Sequence, residues 1–279
     1  MNMNKFFKNI YLDKYKVLNI LHSGGFSDVY KAIDKTKNKK VIIKNIFDHK
    51  EAIKEAYNLT NAYYIPCCQK IIDYKIKKDT SLSYIITDYY QDGVLLDYIN
   101  SHDYPDFLNE NEFKMELYRI MRPIYHLNDR GYVHLDIKPD NFLLHDEFKL
   151  NTKFYSKDLY LIDFLTCRHA GLDMTKSKGI NKYNLLSTYV SPEIHYNNKY
   201  NINTDMWSVG LISYNLLFKE QPLINMKNKI ITQIHVQNIK RDFEDLGFSH
   251  DLTKLLTNCF EINPMKRTTS KELYDCILN

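Results

Sequence analysis

The chain has 279 residues, 44% of them hydrophobic and 14% aromatic, with a formal net charge of +4. That length supports one large domain or two lobes; no apolar run approaches the roughly 18–20 residues that span a bilayer, and Met1 to Asn9 is too polar for a secretory signal. The five cysteines (Cys67, Cys68, Cys167, Cys259, Cys276) lack zinc-type spacing and favour a reduced intracellular setting, while lysines scattered without interleaved aromatics argue against a nucleic-acid surface.

In chain order, Tyr15 to Leu21 and Asp28 to Ile33 read as strands joined by His22-Ser23-Gly24-Gly25-Phe26-Ser27. Two adjacent glycines let backbone N–H groups approach a phosphate closely, although a Gly-Gly pair also suits an ordinary hairpin. Lys37 to Lys40 looks like a solvated hairpin tip. Val41 to Ile46 alternates as a third strand with Lys44 at its centre. Such a lysine points to solvent, or it is a partly buried amine that contacts phosphates and needs a carboxylate partner. The next helix, about His49 to Ala62, offers Glu51 and Glu55 on one face, with Leu59 a turn further on. Glu55 is the favoured partner and Glu51 the runner-up. Lys70 to Ile76 and Ser83 to Tyr90 complete a five-stranded sheet with one helix.

After Asp88-Tyr89-Tyr90-Gln91-Asp92-Gly93 the patterning turns helical, which places a boundary near residues 88–93. A helix over about Leu108 to Gly131 carries Phe113, Leu117, Ile120, Ile124 and Leu127 at helical spacing. Then comes His134-Leu135-Asp136-Ile137-Lys138-Pro139-Asp140-Asn141, whose proline discourages a continuous helix. As a polar surface turn it would do nothing. As a loop with Asp136, Lys138 and Asn141 on one face it suits phosphoryl transfer: Asp136 accepts the proton of an attacking hydroxyl, Lys138 offsets charge on the migrating group, and Asn141 offers an oxygen to Mg²⁺.

Phe142 to Leu144 and Leu159 to Ile162 form a strand pair around a polar insertion, and the second strand delivers Asp163-Phe164-Leu165. A carboxylate at the end of a buried strand is costly unless a cation meets it, and Mg²⁺ fits that role. Thr166 to Val190 is long and polar without clear periodicity, which suits a mobile substrate-facing loop, and ends at Ser191-Pro192-Glu193. Asn203 to Phe218 reads as a helix around Trp207; Leu252 to Phe260 and Ser270 to Ile277 are two more, with Asn263-Pro264-Met265-Lys266-Arg267 between them.

Together, in this order and spacing, these motifs resemble the eukaryotic-type protein kinase family from about Tyr15 to Leu278. The resemblance implies an α+β, bilobal fold: a small lobe (15–87) with a five-stranded antiparallel sheet and one main helix, a hinge (88–93), and a larger, mainly helical lobe (94–279). Residues 1–14 would be an N-terminal extension. It implies ATP and Mg²⁺ as cofactors. Leu21, Gly24, Gly25, Phe26, Ser27 and Asp88 fall in the ATP-binding set, with Gly24 and the backbone through Ser27 over the phosphates. Val29, Ile42, Thr87, Tyr90 and Leu143 line the adenine pocket, with Thr87 at the gate of the inner cavity.

By the same resemblance Lys44 contacts phosphates with Glu55 as its ion-pair partner, Asp136 is the catalytic base, Lys138 assists it, and Asn141 and Asp163 bind the metal. Glu193 pairs with Arg267, Asp205 braces the catalytic loop, and Leu59, His134 and Phe164 belong to an apolar column. The Asp-x-Lys-Pro-x-Asn form of the loop is similar to that of serine/threonine kinases. The implied activity is transfer of the ATP γ-phosphoryl group to Ser or Thr of a protein substrate, by an intracellular, cytoplasmic monomer that binds neither nucleic acid nor membrane.

The chain departs from the family pattern at several points. His22 and Ser27 stand at the first and third glycine positions of the phosphate loop, and Ile42 replaces a small alanine over the adenine ring. Leu135 replaces the arginine that receives a loop phosphate, so activity is expected without phosphorylation of Thr175, Ser177, Ser187 or Thr188. Leu165 replaces a glycine and is expected to restrict a backbone that often needs unusual φ/ψ. Leu186 falls where a threonine usually helps hold the substrate, unless Ser187 or Thr188 serves instead. The alternative is a pseudokinase, a scaffold with little turnover. The joint presence of Lys44, Glu55, Asp136, Asn141 and Asp163 favours the enzyme.

Overall fold

The structure is a computed structural model, and it describes residues 14–76, 83–145, 158–171, 188–197, 199–220 and 233–279. The chain divides into two compact units, one comprising residues 1–64 and 69–91, the other residues 65–68 and 92–279.

The first unit is built on five strands: β1 (Tyr15–Ser23), β2 (Ser27–Asp34), β3 (Lys39–Ile46), β4 (Ile71–Lys75) and β5 (Ser83–Asp88). They pair antiparallel in the order β1-β2-β3-β5-β4. The α+β class and the small antiparallel sheet are therefore present. β1 and β2 run further toward each other than the sequence suggests, leaving only Gly24, Gly25 and Phe26 as the connecting turn.

Alternation along the strands gives the sheet two unlike faces. Val41 and Ile43 of β3 are buried with Tyr15, Tyr30, Ala32, Tyr84 and Ile86 in one apolar cluster. Register puts Val29 opposite Lys44, and Ile42 opposite Thr87, so these four side chains share the other face. Helix α1 (His49–Asn61) begins at Asp48, whose carboxylate caps the N–H groups of Lys50 at 2.7 Å and Glu51 at 3.4 Å. Its buried positions Ala52, Glu55, Ala56 and Leu59 recur at helical spacing, which fixes the face turned inward.

The β2–β3 turn is organised by Asp34, which accepts from the Thr36 hydroxyl at 2.6 Å and from the N–H groups of Thr36 at 2.9 Å and Lys37 at 3.3 Å. With Lys14 at 3.4 Å, these donors hold the Asp34 carboxyl down at about 2, the Thr36 hydroxyl contributing most. A depressed carboxyl stabilises the fold above its unfolded value of about 4, and the gain is lost as pH falls from there toward the folded value. Asp34→Asn is thus expected to lower the thermal midpoint most at neutral pH. The gap from the native chain should close as pH drops from about 4 to 2, followed by circular dichroism.

The second unit comprises α2 (Leu95–Ile99), α3 (Glu110–Asp129), β6 (Tyr132–Val133), β7 (Phe142–His145), β8 (Asp158–Leu161), β9 (Arg168–His169), α4 (Pro192–Asn197), α5 (Thr204–Phe218), α6 (Gln233–Glu244), α7 (His250–Asn258) and α8 (Ser270–Leu278). α3 opens with a capping box, in which Asn109 accepts from the Glu112 N–H at 3.0 Å and the Glu112 carboxylate accepts from the Asn109 N–H at 2.9 Å. α5 is apolar around most of its circumference and is buried accordingly, Trp207 completely. Gly210 lets α5 close on its neighbours: a Cβ there would stand 2.8 Å from Phe260 and 2.9 Å from Cys259. α8 is tied to α3 by Tyr274, stacked on Tyr125 at 4.4 Å.

The described start of the stretch read as one long loop takes regular form. A 3₁₀ turn covers Phe164–Thr166, and β9 pairs with β6. Leu186, Thr175, Ser177 and Ser187 lie outside the described residues. Among the described residues no helix is long and apolar enough to cross a membrane.

Candidate functional site

In the first unit, the Lys44 ammonium meets the Glu55 carboxylate at 2.8 Å, Glu55 being 2% exposed and Lys44 18%. Glu51 instead pairs with Lys54 at 3.0 Å on its own helix. The two candidates lie one turn apart on the same side of α1, and of the two only Glu55 is buried. Lys44, Val29, Ile42 and Thr87 share one face of the sheet in this unit; Gln69 Nε2 donates to the Thr87 hydroxyl at 3.0 Å. Tyr90 is buried, whereas Leu21 and Phe26 are exposed within this unit. Asp88, at the end of β5, holds Lys39 at 2.8 Å.

In the turn between β1 and β2, the Gly24 N–H donates to the Ser27 carbonyl at 3.1 Å. A Cβ on Gly24 would lie 3.0 Å from His22 Nε2, so the His22 ring lies beside Gly24. Gly25 has open space where a Cβ would go.

The loop His134–Asn141 in the second unit brings its three polar side chains together. Asp136 Oδ2 accepts from Lys138 Nζ at 2.8 Å and from Asn141 Nδ2 at 2.9 Å. Asn141 Nδ2 also donates to the Asp136 carbonyl at 2.7 Å. Pro139–Asn141 is a single 3₁₀ turn, and the Asn141 N–H closes it on the Lys138 carbonyl at 3.0 Å. Asp136 Oδ1 takes part in none of these bonds.

Asp205, fully buried at the start of α5, braces this loop from beneath. Its two carboxylate oxygens accept the backbone N–H groups of His134 at 2.7 Å and Leu135 at 2.9 Å. Burial pushes the Asp205 carboxyl up, and His134 and the two N–H donors oppose that shift. Asp205→Asn keeps the shape but turns one acceptor into a donor facing an N–H. It is expected to cost roughly 1–3 kcal/mol of stability, the usual cost of an unsatisfied buried group, measured by urea denaturation.

The backbone here is strained at two non-glycine positions. Leu135 has φ of 67° and Asp163 has φ of 63°, a left-handed conformation that costs roughly 1–2 kcal/mol per ordinary residue. The expectation of strain at Leu165 is therefore corrected. Leu165 lies inside the 3₁₀ turn, and the unusual dihedral falls on Asp163, a residue type whose short polar side chain tolerates it better.

Asp163 follows β8 and is half-buried. The neighbouring Ile162 N–H donates to the Asn141 carbonyl at 2.9 Å, which ties the stretch bearing Asp163 to the loop bearing Asn141. A carboxylate and a carboxamide oxygen are hard donors of the kind Mg²⁺ uses together with substrate phosphates. With its nitrogen committed to Asp136, Asn141 has Oδ1 left for a cation. The residues present fit the metal.

His134 and Phe164 are completely buried, with their rings edge to face at 5.1 Å, and His134 Nε2 bonds the Ile162 carbonyl at 3.0 Å. Leu59 is completely buried in α1. Leu143 lies half-buried on β7. Glu193 and Arg267 form a bidentate pair at 2.8 and 3.0 Å, and the Arg267 guanidinium lies 5.4 Å over the Trp207 ring. The sequence reading passed over Thr166, whose hydroxyl donates to the His134 carbonyl at 2.7 Å, and Arg168, which donates to the carbonyls of Leu165 at 3.0 Å and Cys167 at 2.7 Å. Nothing in the sequence alone marks either contact.

The sequence profile of the protein kinase domain matches residues 15–276. A protein of Acanthamoeba polyphaga mimivirus, provisionally named a serine/threonine-protein kinase, is 27% identical over 94% of this chain and 62% of its own length. Maternal embryonic leucine zipper kinase of Danio rerio is 27% identical over 95% of this chain and 37% of its own length. Serine/threonine-protein kinase Nek5 of Homo sapiens is 26% identical over 92% and 35%. The chain thus spans roughly a third to three-fifths of these curated relatives.

Proposed function

Since the chain belongs to the eukaryotic-type protein kinase family, we propose that it transfers the γ-phosphoryl group of ATP to Ser and Thr hydroxyls of protein substrates. The observation that carries this reading is the Asp136 carboxylate, held by Lys138 at 2.8 Å and Asn141 at 2.9 Å with its other oxygen outside those bonds. A carboxylate oriented in this way accepts the proton of an acceptor hydroxyl as that oxygen attacks phosphorus. Lys138 places a positive charge beside the same carboxylate, where charge on the migrating group is offset.

Lys44, kept in place by Glu55, contacts the nucleotide phosphates, and the backbone from Gly24 to Ser27 covers them. Asn141 and Asp163 would hold Mg²⁺, which when bound supplies countercharge to the phosphates. The family pattern assigns Val29, Ile42, Thr87, Tyr90 and Leu143 to adenine binding, with Leu21 and Asp88 in the same set. Ser/Thr preference is supported by Lys138 within Asp-x-Lys-Pro-x-Asn and by the serine/threonine names of two relatives. An intracellular setting is supported by five free thiols. On this reading residues 15–279 form the kinase domain.

Purified chain incubated with Mg²⁺, labelled ATP and a generic protein acceptor, followed by phosphoamino-acid analysis, tests the proposal. Label on phosphoserine and phosphothreonine is expected. Label confined to phosphotyrosine would overturn the acceptor class. Nucleotide binding without transfer would leave a pseudokinase.

A further inference from the structure

Leu135 stands next to the proposed base, in a conformation that leucine avoids, and its side chain has a task of its own. It is 5% exposed and packs with Val133, Ile194 and Tyr200, against which Ala170, Val190 and Ile202 also pack. The cluster gathers the catalytic loop, β6, the residue after β9, α4 and the stretch on each side of α4. A left-handed leucine persists only where its surroundings over-determine it. Here they do so twice: Asp205 holds the Leu135 N–H at 2.9 Å, and the apolar cluster holds the side chain.

We propose that Leu135 is a positioning residue for the protein acceptor, fastening residues 190–202 to the catalytic loop by an apolar clasp that needs no phosphate. The inference rests on the kinase reading. α4 is gripped at two successive residues: Ile194 enters the clasp, and Glu193 is held by Arg267 at 2.8 Å. Successive helical residues point about 100° apart, so the two contacts fix the short helix in rotation as well as in place. Arg168 stands beside the clasp, opposite Val133 in the β6–β9 pair. Its guanidinium donates to the Leu165 carbonyl at 3.0 Å and the Cys167 carbonyl at 2.7 Å. Nη1 of Arg168 is thus engaged with backbone, and burial of Leu135, Ile194 and Tyr200 supplies an apolar tie at the same place.

Leu135→Ala separates positioning from general structure. It is expected to raise the KM for the protein acceptor and to lower kcat/KM by about tenfold to a hundredfold, with the Kd of a fluorescent ATP analogue unchanged. Leu135→Met, which refills the volume, should recover most of the loss. Ile194→Ala truncates the opposite side of the clasp and should reproduce the acceptor effect if Leu135→Ala folds poorly. Hydrogen exchange should show amides 190–202 less protected in both alanine variants, and phosphatase treatment of the native chain should leave its rate unchanged.

An unaltered acceptor KM with unaltered exchange in the alanine variants, or loss of native activity on phosphatase treatment, would overturn the clasp. The exchange readout needs no turnover. A native chain that transfers no phosphate would therefore defeat the kinase reading and still leave the clasp decided by exchange.

Discussion

Asp136→Asn is expected to lower phosphoryl transfer by roughly 10²–10⁴-fold, the usual contribution of a positioned general base, with little change in thermal midpoint. The substitution is nearly isosteric, and an asparagine carbonyl oxygen can still accept from Lys138 and Asn141, which now lie at 2.8 and 2.9 Å from Asp136 Oδ2. What is lost is the basic oxygen. Because the loop is braced from Asp205 through the backbone N–H groups of His134 and Leu135, its path does not depend on the charge at position 136. Rate and stability should part company. A stopped reaction in a chain that melts at the native temperature identifies chemistry, whereas a parallel fall in both would mean that Asp136 serves mainly to hold the loop.

Arg267→Ala should do the reverse, costing about 3–5 kcal/mol of stability, as expected when one partner of a buried ion pair is removed. Arg267 is 2% exposed and Glu193 8%. Truncation leaves the Glu193 carboxylate without the two bonds at 2.8 and 3.0 Å. It also strips donors from the Glu261 carbonyl, at 3.1 and 3.0 Å, and from Asn203 and Thr204. The Trp207 ring loses the cation above it. Arg267→Lys should recover little, because an ammonium cannot reproduce the planar fork that reaches all these acceptors. Denaturant unfolding of the two variants measures both effects. An Arg267→Lys chain as stable as the native one would show that charge alone, without fork geometry, suffices.

How much of this could be read from sequence depends on the scale of the feature. The five strands and the helices around Glu55, Leu117 and Trp207 follow from side-chain period, because each is long enough to repeat it. β6 and β9 have two residues each, α2 five and α4 six, too few for any period to register. α6 could have been found, since Val236, Ile239 and Phe243 recur at three- and four-residue steps and are buried.

Within the candidate site, helical spacing narrows the Lys44 partner to Glu51 or Glu55, and the choice is decided by position along α1, where Glu55 is buried against Lys44 and Glu51 is turned to Lys54. The left-handed turn at Asp163 could not be inferred, because leucine at position 165 draws attention to the wrong residue; where the dihedral falls depends on how the 3₁₀ turn follows β8. The packing of Leu135 is equally hidden. Its neighbours Ile194 and Tyr200 lie about sixty residues away and meet it only through the fold.

The most direct test of the central claim is a side-by-side rate measurement with labelled ATP, Mg²⁺ and a protein acceptor for the native chain, Asp136→Asn and Asp163→Ala. The native chain should label serine and threonine, and each variant should fall by orders of magnitude, since positioning and electrostatics supply most of the barrier lowering in phosphoryl transfer. Equal residual labelling in all three would contradict catalysis by this chain.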